Sequence, residues 1–208
     1  MLAPQYPVNL VVADRPCLVV GGGALAAQKA AALLACGAEV HVVGEEIGEE
    51  VRALPVAWEE RSYARGEASD YRFVIAATGS PATNATVYAD ADAAGVWVNS
   101  ADDPDHCSAT LPAVLRRGAL VVTVSTGGRS PAIASWLKAR LADEIGPEYE
   151  ALLDLVAGQR EAVRAGGRST EGLNWQKALD SDMLELIKNG HVAEARERLQ
   201  ACLSSSSD

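Results

Sequence analysis

No apolar run in this chain approaches the roughly 18 residues needed for a membrane-spanning helix, and Lys29 breaks the longest weakly polar stretch. A basic surplus is also missing. The 18 Lys and Arg are outnumbered by 28 Asp and Glu, giving a formal net charge of −10, which argues against nucleic acid as a partner. The four cysteines (Cys17, Cys36, Cys107 and Cys202) show no Cys-x-x-Cys spacing. The first residues carry neither a charged leader nor an apolar core, so a reduced, cytoplasmic protein without a secretory segment is expected. No internal repeat is visible. With 49% apolar residues over 208 positions, the chain can bury the core of one large domain, or of a medium domain with an appendage.

What is present begins with glycine. The apolar run 17–20 enters Gly21, Gly22 and Gly23, then an alanine-rich helical stretch closing at Gly37, then a second apolar run at 40–43. Gly21, Gly23 and Ala26 fill the Gly-x-Gly-x-x-Gly/Ala template. Its first glycine makes the turn, its second admits a pyrophosphate, and its small third residue lets helix pack on strand. The amides opening the helix then face the phosphates.

Further apolar runs at 73–77, 96–98 and 119–124, separated by Ala-rich segments of helical period, predict a parallel sheet covered by helices. A charged end marks 56–60 as an edge strand. From residue 130 the pattern is helical, punctuated by Gly146-Pro147, Gly166-Gly167 and Asn189-Gly190. Core faces are expected at Leu152, Leu153 and Val156 and at Met183, Leu184, Leu186 and Ile187. Residues 204–208 are expected to fray.

Two more loops carry chemical groups. Asn99, Asp102, Asp103, Asp105, His106 and Cys107 follow a predicted strand at its carboxyl end, where open α/β sheets bind ligands. A catalytic acid or base is favoured there over a solvated turn or a tight metal site, because adjacent turn residues seldom converge on one ion. The second loop holds Ser125, Thr126, Gly127, Gly128 and Arg129 before Ser130 and Pro131, an N-cap and first helical residue. It could cradle a carboxylate or phosphate, or it could be a well-capped helix without a ligand. Between residues 107 and 142 there is no Asp or Glu, while Arg116, Arg117, Arg129, Lys138 and Arg140 all fall there. Such segregation favours a polyanionic ligand.

The glycine triplet, Ala76-Ala77-Thr78, Asn99 with Asp102, and Gly127-Gly128-Arg129-Ser130-Pro131, in that order, resemble the precorrin-2 dehydrogenase/sirohydrochlorin ferrochelatase family of siroheme synthesis. The resemblance covers nearly the whole chain. It implies an α/β fold: a Rossmann-like parallel-sheet NAD-binding domain over 1–113, a dimerisation and substrate segment over 114–146, and a small helical domain over 147–208. It also implies a homodimer that oxidises precorrin-2 to sirohydrochlorin with NAD. Insertion of Fe2+ into the product is a second implied activity, with iron passing transiently near Asp102 and His106 and no resident metal.

By the same resemblance Asp102 is the catalytic residue. Gly21, Gly22, Gly23, Ala24 and Leu25 would meet the pyrophosphate, Glu45 or Glu46 the adenosine ribose, and Thr78 and Asn99 the nicotinamide end. Ser125, Thr126, Gly127, Gly128, Arg129 and Ser130 would face the tetrapyrrole. Gln28 replaces a usual Arg, Gly79 a usual polar residue and Ala109 a common aromatic.

Two other classes share the glycine loop. A dehydrogenase of a small organic acid would need a catalytic His, Lys or Tyr, and only His106 could serve, because His41 lies in a strand and His191 in the helical tail. A redox-sensing module would bind NADH without turnover.

Overall fold

The computed structural model describes residues 4–204; residues 1–3, within the expected leaderless amino terminus, and 205–208, within the expected frayed tail, lie outside them. The chain divides into two compact units, Met1–Leu111 and Pro112–Asp208.

The first unit is built on five parallel strands: β1 (Pro16–Val20), β2 (Glu39–Gly44), β3 (Ala57–Glu60), β4 (Phe73–Ala76) and β5 (Trp97–Ser100). Their order is β3-β2-β1-β4-β5, and β3 is the predicted edge. Helix α1 (Ala24–Leu34) connects β1 to β2, the short α2 (Glu49–Arg52) precedes β3, and α3 (Pro81–Ala93) connects β4 to β5.

Side chains alternate across the sheet. Cys17, Val19, Val42 and Ile75 pack with Ala26, Ala30 and Leu33 of α1. Leu18, Val20, Val74 and Val98 pack on the other face with Val87 and Ala91 of α3. With both faces covered, the strands read as unbroken apolar runs rather than alternating ones. The alanines of α1 allow its close approach to the sheet.

In the second unit, β6 (Ala113–Arg117) and β7 (Leu120–Val124) form an antiparallel pair. The run at 119–124 therefore lies outside the parallel sheet to which its sequence assigned it. The reason is local. Gly118, at φ +55°, and Ala119 close a two-residue hairpin turn, and β7 alternates between half-buried and exposed positions instead of being buried on both faces. Its partner was hidden by Arg116 and Arg117.

Helix α4 (Pro131–Glu144) starts as predicted, with Ser130 Oγ accepting from Ile133 N at 3.2 Å. Its carboxyl end is closed by Arg117, which donates to Ile145 O at 2.8 Å and Ala142 O at 3.2 Å. Helices α5 (Glu148–Ala165), α6 (Trp175–Leu179), α7 (Met183–Lys188) and α8 (Val192–Ser204) follow. Met183, Leu199 and Leu203 bury against Leu152 and Val156, while Leu155, Ile187 and Ala195 form a second cluster. Leu155, buried here, was not singled out by the amphipathic pattern. Among the described residues no helix is long and apolar enough to cross a membrane.

Candidate active site at the carboxyl ends of the parallel strands

In the order β3-β2-β1-β4-β5 the connections reverse direction between β1 and β4, and ligands of such sheets bind outside the carboxyl ends at that switch point. Gly21 to Gly23, Thr78, Glu45 and Asp102 all follow strands of this sheet at that end. Their common placement is set by topology.

The three glycines have different reasons to be glycine. Gly21 holds φ +131°, and a Cβ there would stand 2.3 Å from Ala77 O. At Gly22 it would stand 1.8 Å from Glu46 O. Both are locked by the turns after β4 and β2. Around Gly23 a Cβ would meet nothing within 4 Å, so internal packing does not require a glycine there and the space is open to a ligand's approach. Gly23 is also the N-cap of α1, with no side chain bonded to it and no acidic residue in the first turn. Ala24 and Leu25 open that helix, and Leu25 is exposed. Open space before an uncapped, acid-free helix start suits a pyrophosphate, and the residues present fit a dinucleotide.

The turn after β2 abuts this loop, because Gly48 N donates to Gly22 O at 2.9 Å. Glu45 and Glu46 are exposed on it, and Glu45 Oε1 accepts from Ser62 Oγ at 2.9 Å. On the other side of the switch point, Thr78 Oγ1 donates to Asn84 Oδ1 at 2.6 Å. Asn84 is buried in α3, and neither Ser62 nor Asn84 stood out in the sequence, since each acts only through another residue: Ser62 through Glu45, 17 positions back, and Asn84 through Thr78 on the preceding turn.

The loop leaving β5 is held by several bonds. Asn99 Nδ2 donates to Ala109 O at 3.0 Å, and Ser108 Oγ accepts from Val98 N at 2.9 Å. Cys107 Sγ accepts from Ser100 N at 3.2 Å and lies 3.3 Å from both Ser100 O and Asp103 O. Burial pushes the Cys107 thiol above its ordinary range, which keeps it neutral and suited to tying the loop. Asn99 likewise spends its amide on this loop.

Asp102 is exposed and sits at φ +60°, a left-handed conformation uncommon outside glycine. Asp103 Oδ2 lies 2.7 Å from His106 Nδ1, and the His106 ring meets Tyr88 edge-on with centroids 5.2 Å apart. Among the described residues no group of three or more His, Cys, Asp or Glu could hold a metal ion.

In the second unit, residues 125–130 form a turn bonded within itself. Gly127 N donates to Ser125 Oγ at 3.2 Å, Ser130 N to Thr126 Oγ1 at 3.0 Å, and Thr126 Oγ1 to Ser130 O at 3.1 Å. Gly127 and Gly128 both have positive φ, at +61° and +77°, and Arg129 is exposed. Of the basic residues nearby, Arg117 caps α4 and Arg140 lies over Trp136 at 5.1 Å. Part of the local positive charge therefore has structural work.

The family described as "Putative NAD(P)-binding" matches residues 8–113. A siroheme synthase of Nitrosomonas eutropha is 36% identical over 210 residues, covering 98% of this chain and 44% of the relative. Another, from Nitrosococcus oceani, is 36% identical over 206 residues, covering 96% and 44%. The chain thus spans less than half the length of these relatives. Among solved structures, SirC, a precorrin-2 dehydrogenase, superposes with a TM-score of 0.69 at 23% identity, covering 95% of this chain and 98% of that one. The same fold is shared, and the resemblance drawn from the sequence motifs finds its counterpart in these relatives.

Proposed function

From its membership of the NAD(P)-binding family, to which the chain belongs through residues 8–113, we propose that it is an NAD-dependent precorrin-2 dehydrogenase of siroheme or related tetrapyrrole synthesis. The observation that carries this reading is Asp102, held in a left-handed conformation on the loop leaving β5, at the sheet end that also carries the open Gly23. Oxidation removes a hydride and a proton from the macrocycle, and nicotinamide, when bound, accepts the hydride. Asp102 takes the proton. The loop bonds from Asn99, Ser108 and Cys107 keep that carboxylate in place, and Asn84 keeps Thr78 beside the nicotinamide end. Glu45 accepts from the adenosine ribose.

Insertion of Fe2+ would use the same base, since pyrrole nitrogens must lose protons as the metal enters. The iron is substrate here, passing near Asp102 and His106. Residues 125–130, with the Gly128 amide and the exposed Arg129, would receive carboxylates of the substrate. Exposed Val114, Val121, Ile133, Trp136 and Leu137 on β6, β7 and α4 support a homodimer formed through the 114–146 segment, with 147–208 as its helical appendage. A cytoplasmic setting suits the free cysteines.

The test mixes protein, NAD+ and enzymatically generated precorrin-2 and follows NADH fluorescence beside the chromophore. NADH should rise together with a sirohydrochlorin spectrum. An unchanged macrocycle spectrum sinks the proposal. Adding Fe2+ or Co2+ to sirohydrochlorin tests insertion separately.

A further inference from the structure

The turn after β3 stands beside the turn after β2, because Arg61 N donates to Gly44 O at 2.8 Å. Two opposing groups meet there. Glu45 is held by Ser62 Oγ at 2.9 Å. The guanidinium of Arg61 donates to Glu59 at 2.7 Å, to Glu67 at 2.9 Å and to the Ser62 carbonyl at 3.1 Å. Glu67 is the more sheltered of the two carboxylates, with 15% of its side chain exposed against 51% for Glu59. Its Oε2 also accepts from Ala64 N at 3.2 Å, and Glu59 Oε1 is shared with His41 Nε2 at 3.1 Å.

Dinucleotide sites of this fold discriminate at this place. A carboxylate near the end of the second strand accepts from the ribose 2′-hydroxyl, whereas a nearby arginine accommodates a 2′-phosphate. Both residue types are present here, but only the carboxylate is presented, because the arginine is committed to two acids of its own.

We propose that Ser62 and Glu67 set the choice of dinucleotide: Ser62 orients Glu45 toward an unphosphorylated adenosine ribose, and Glu67, with Glu59, withholds Arg61 from a 2′-phosphate. The inference rests on the dinucleotide reading of the site and extends it to residues on a separate turn. Ser62 is a positioning residue, since it acts through Glu45. With Oε1 engaged by Ser62, Oε2 is left to accept from the ribose. A phosphate brought to the same place meets a carboxylate whose positive neighbour is already neutralised, so rejection comes from like charge as well as from a missing donor.

The full chain can be titrated with NADH and NADPH alone, following nucleotide fluorescence, so no tetrapyrrole is needed. The wild type should bind NADH more tightly by about 100-fold or more. Ser62→Ala should weaken NADH about 5- to 10-fold, the effect of one ordinary exposed hydrogen bond, and leave NADPH unchanged. Glu45→Ser combined with Glu67→Gln should tighten NADPH about 10-fold or more, and adding Arg61→Ala should abolish that gain. Ser62 is exposed, so its variant tests the idea even if the Glu67 change disturbs folding. An unchanged NADH-to-NADPH ratio in Ser62→Ala, or an NADPH gain that survives loss of Arg61, overturns the inference. Wild-type protein binding neither nucleotide removes the dinucleotide reading itself.

Discussion

Asn84 grips Thr78 at three points: its Oδ1 accepts from Thr78 Oγ1 at 2.6 Å and from Thr78 N at 3.3 Å, and its Nδ2 donates to Thr78 O at 3.3 Å. One buried amide from α3 thereby fixes both backbone and side chain of the residue that ends the β4 turn. Thr78 Oγ1 also accepts from Ser80 N at 3.1 Å, so the turn that launches α3 belongs to the same network.

Asn84→Ala should leave the half-buried N–H and carbonyl of Thr78 without their side-chain partner, while Ser80 still holds the hydroxyl, a change expected to cost about 1 kcal/mol. Denaturant unfolding would read the loss. With Thr78 at the nicotinamide end, as proposed, turnover with precorrin-2 should fall further than NADH binding does. Equal stability of Asn84→Ala and wild type would contradict this account.

Two glycines of one triplet should respond in opposite ways. Gly21→Ala meets Ala77 O at 2.3 Å from a positive φ, and backbone cannot yield there as a flexible side chain would. A stability loss of about 2–4 kcal/mol, or failure to fold, is expected. Gly23→Ala enters open space at an ordinary φ of −85°. Its melting temperature should stay within a few degrees of wild type, while NADH affinity drops about 10-fold or more as the methyl group occupies the pyrophosphate's approach. Normal NADH binding by Gly23→Ala would contradict the assignment.

Stability should decline in alkali through Cys17. Burial in β1 pushes its thiol up to about 11, whereas the unfolded chain's thiols ionise near 8.5. A raised value means that the folded state keeps its proton longer. The contribution is therefore fully present below about pH 8.5 and lost as pH rises toward 11, amounting to about 3 kcal/mol. Unfolding in denaturant at pH 8 and pH 10 measures the slope, and Cys17→Val should flatten it. Tyr63, pushed up to about 12 by burial, acts in the same direction at still higher pH and remains in the variant.

Much of this arrangement could be read from the chain. The glycine turn, the β2 end and the β5 loop are each a short run of neighbours, so local pattern places them, and doubly covered parallel strands announce themselves as apolar runs. What escaped reading depends on partners far along the sequence. Ser62 reaches back 17 positions to Glu45, and Arg117 crosses 28 to cap Ile145. The strand β6 escaped for another reason: a hairpin with one solvated face tolerates Arg116 and Val114 outward, so no apolar run marks it. Cys107, which the sequence offered as a metal ligand, is employed as a hydrogen-bonding hub because the backbone groups of Ser100 and Asp103 surround it.

Asp102 offers a case in which stability and activity should rank differently. Its φ of +60° is easy for glycine, tolerable for aspartate and costly for alanine by about 1 kcal/mol. Asp102→Gly should therefore be at least as stable as wild type, and Asp102→Ala less stable than either. Dehydrogenation should follow another order, because both variants lack the carboxylate and both should lose about 100-fold or more in kcat, the usual contribution of a positioned base. NADH affinity should stay within a factor of about two in each, since the proposed pyrophosphate and ribose contacts lie on the turns after β1 and β2. Thermal melting, nucleotide titration and turnover on the same three proteins separate the terms. If Asp102→Gly turned over normally, the carboxylate would be a turn residue and nothing more. If it lost activity and NADH affinity together, the loop would be acting through cofactor placement. Loss of activity alone, in a protein as stable as the parent, is the result expected of a base held at some conformational expense.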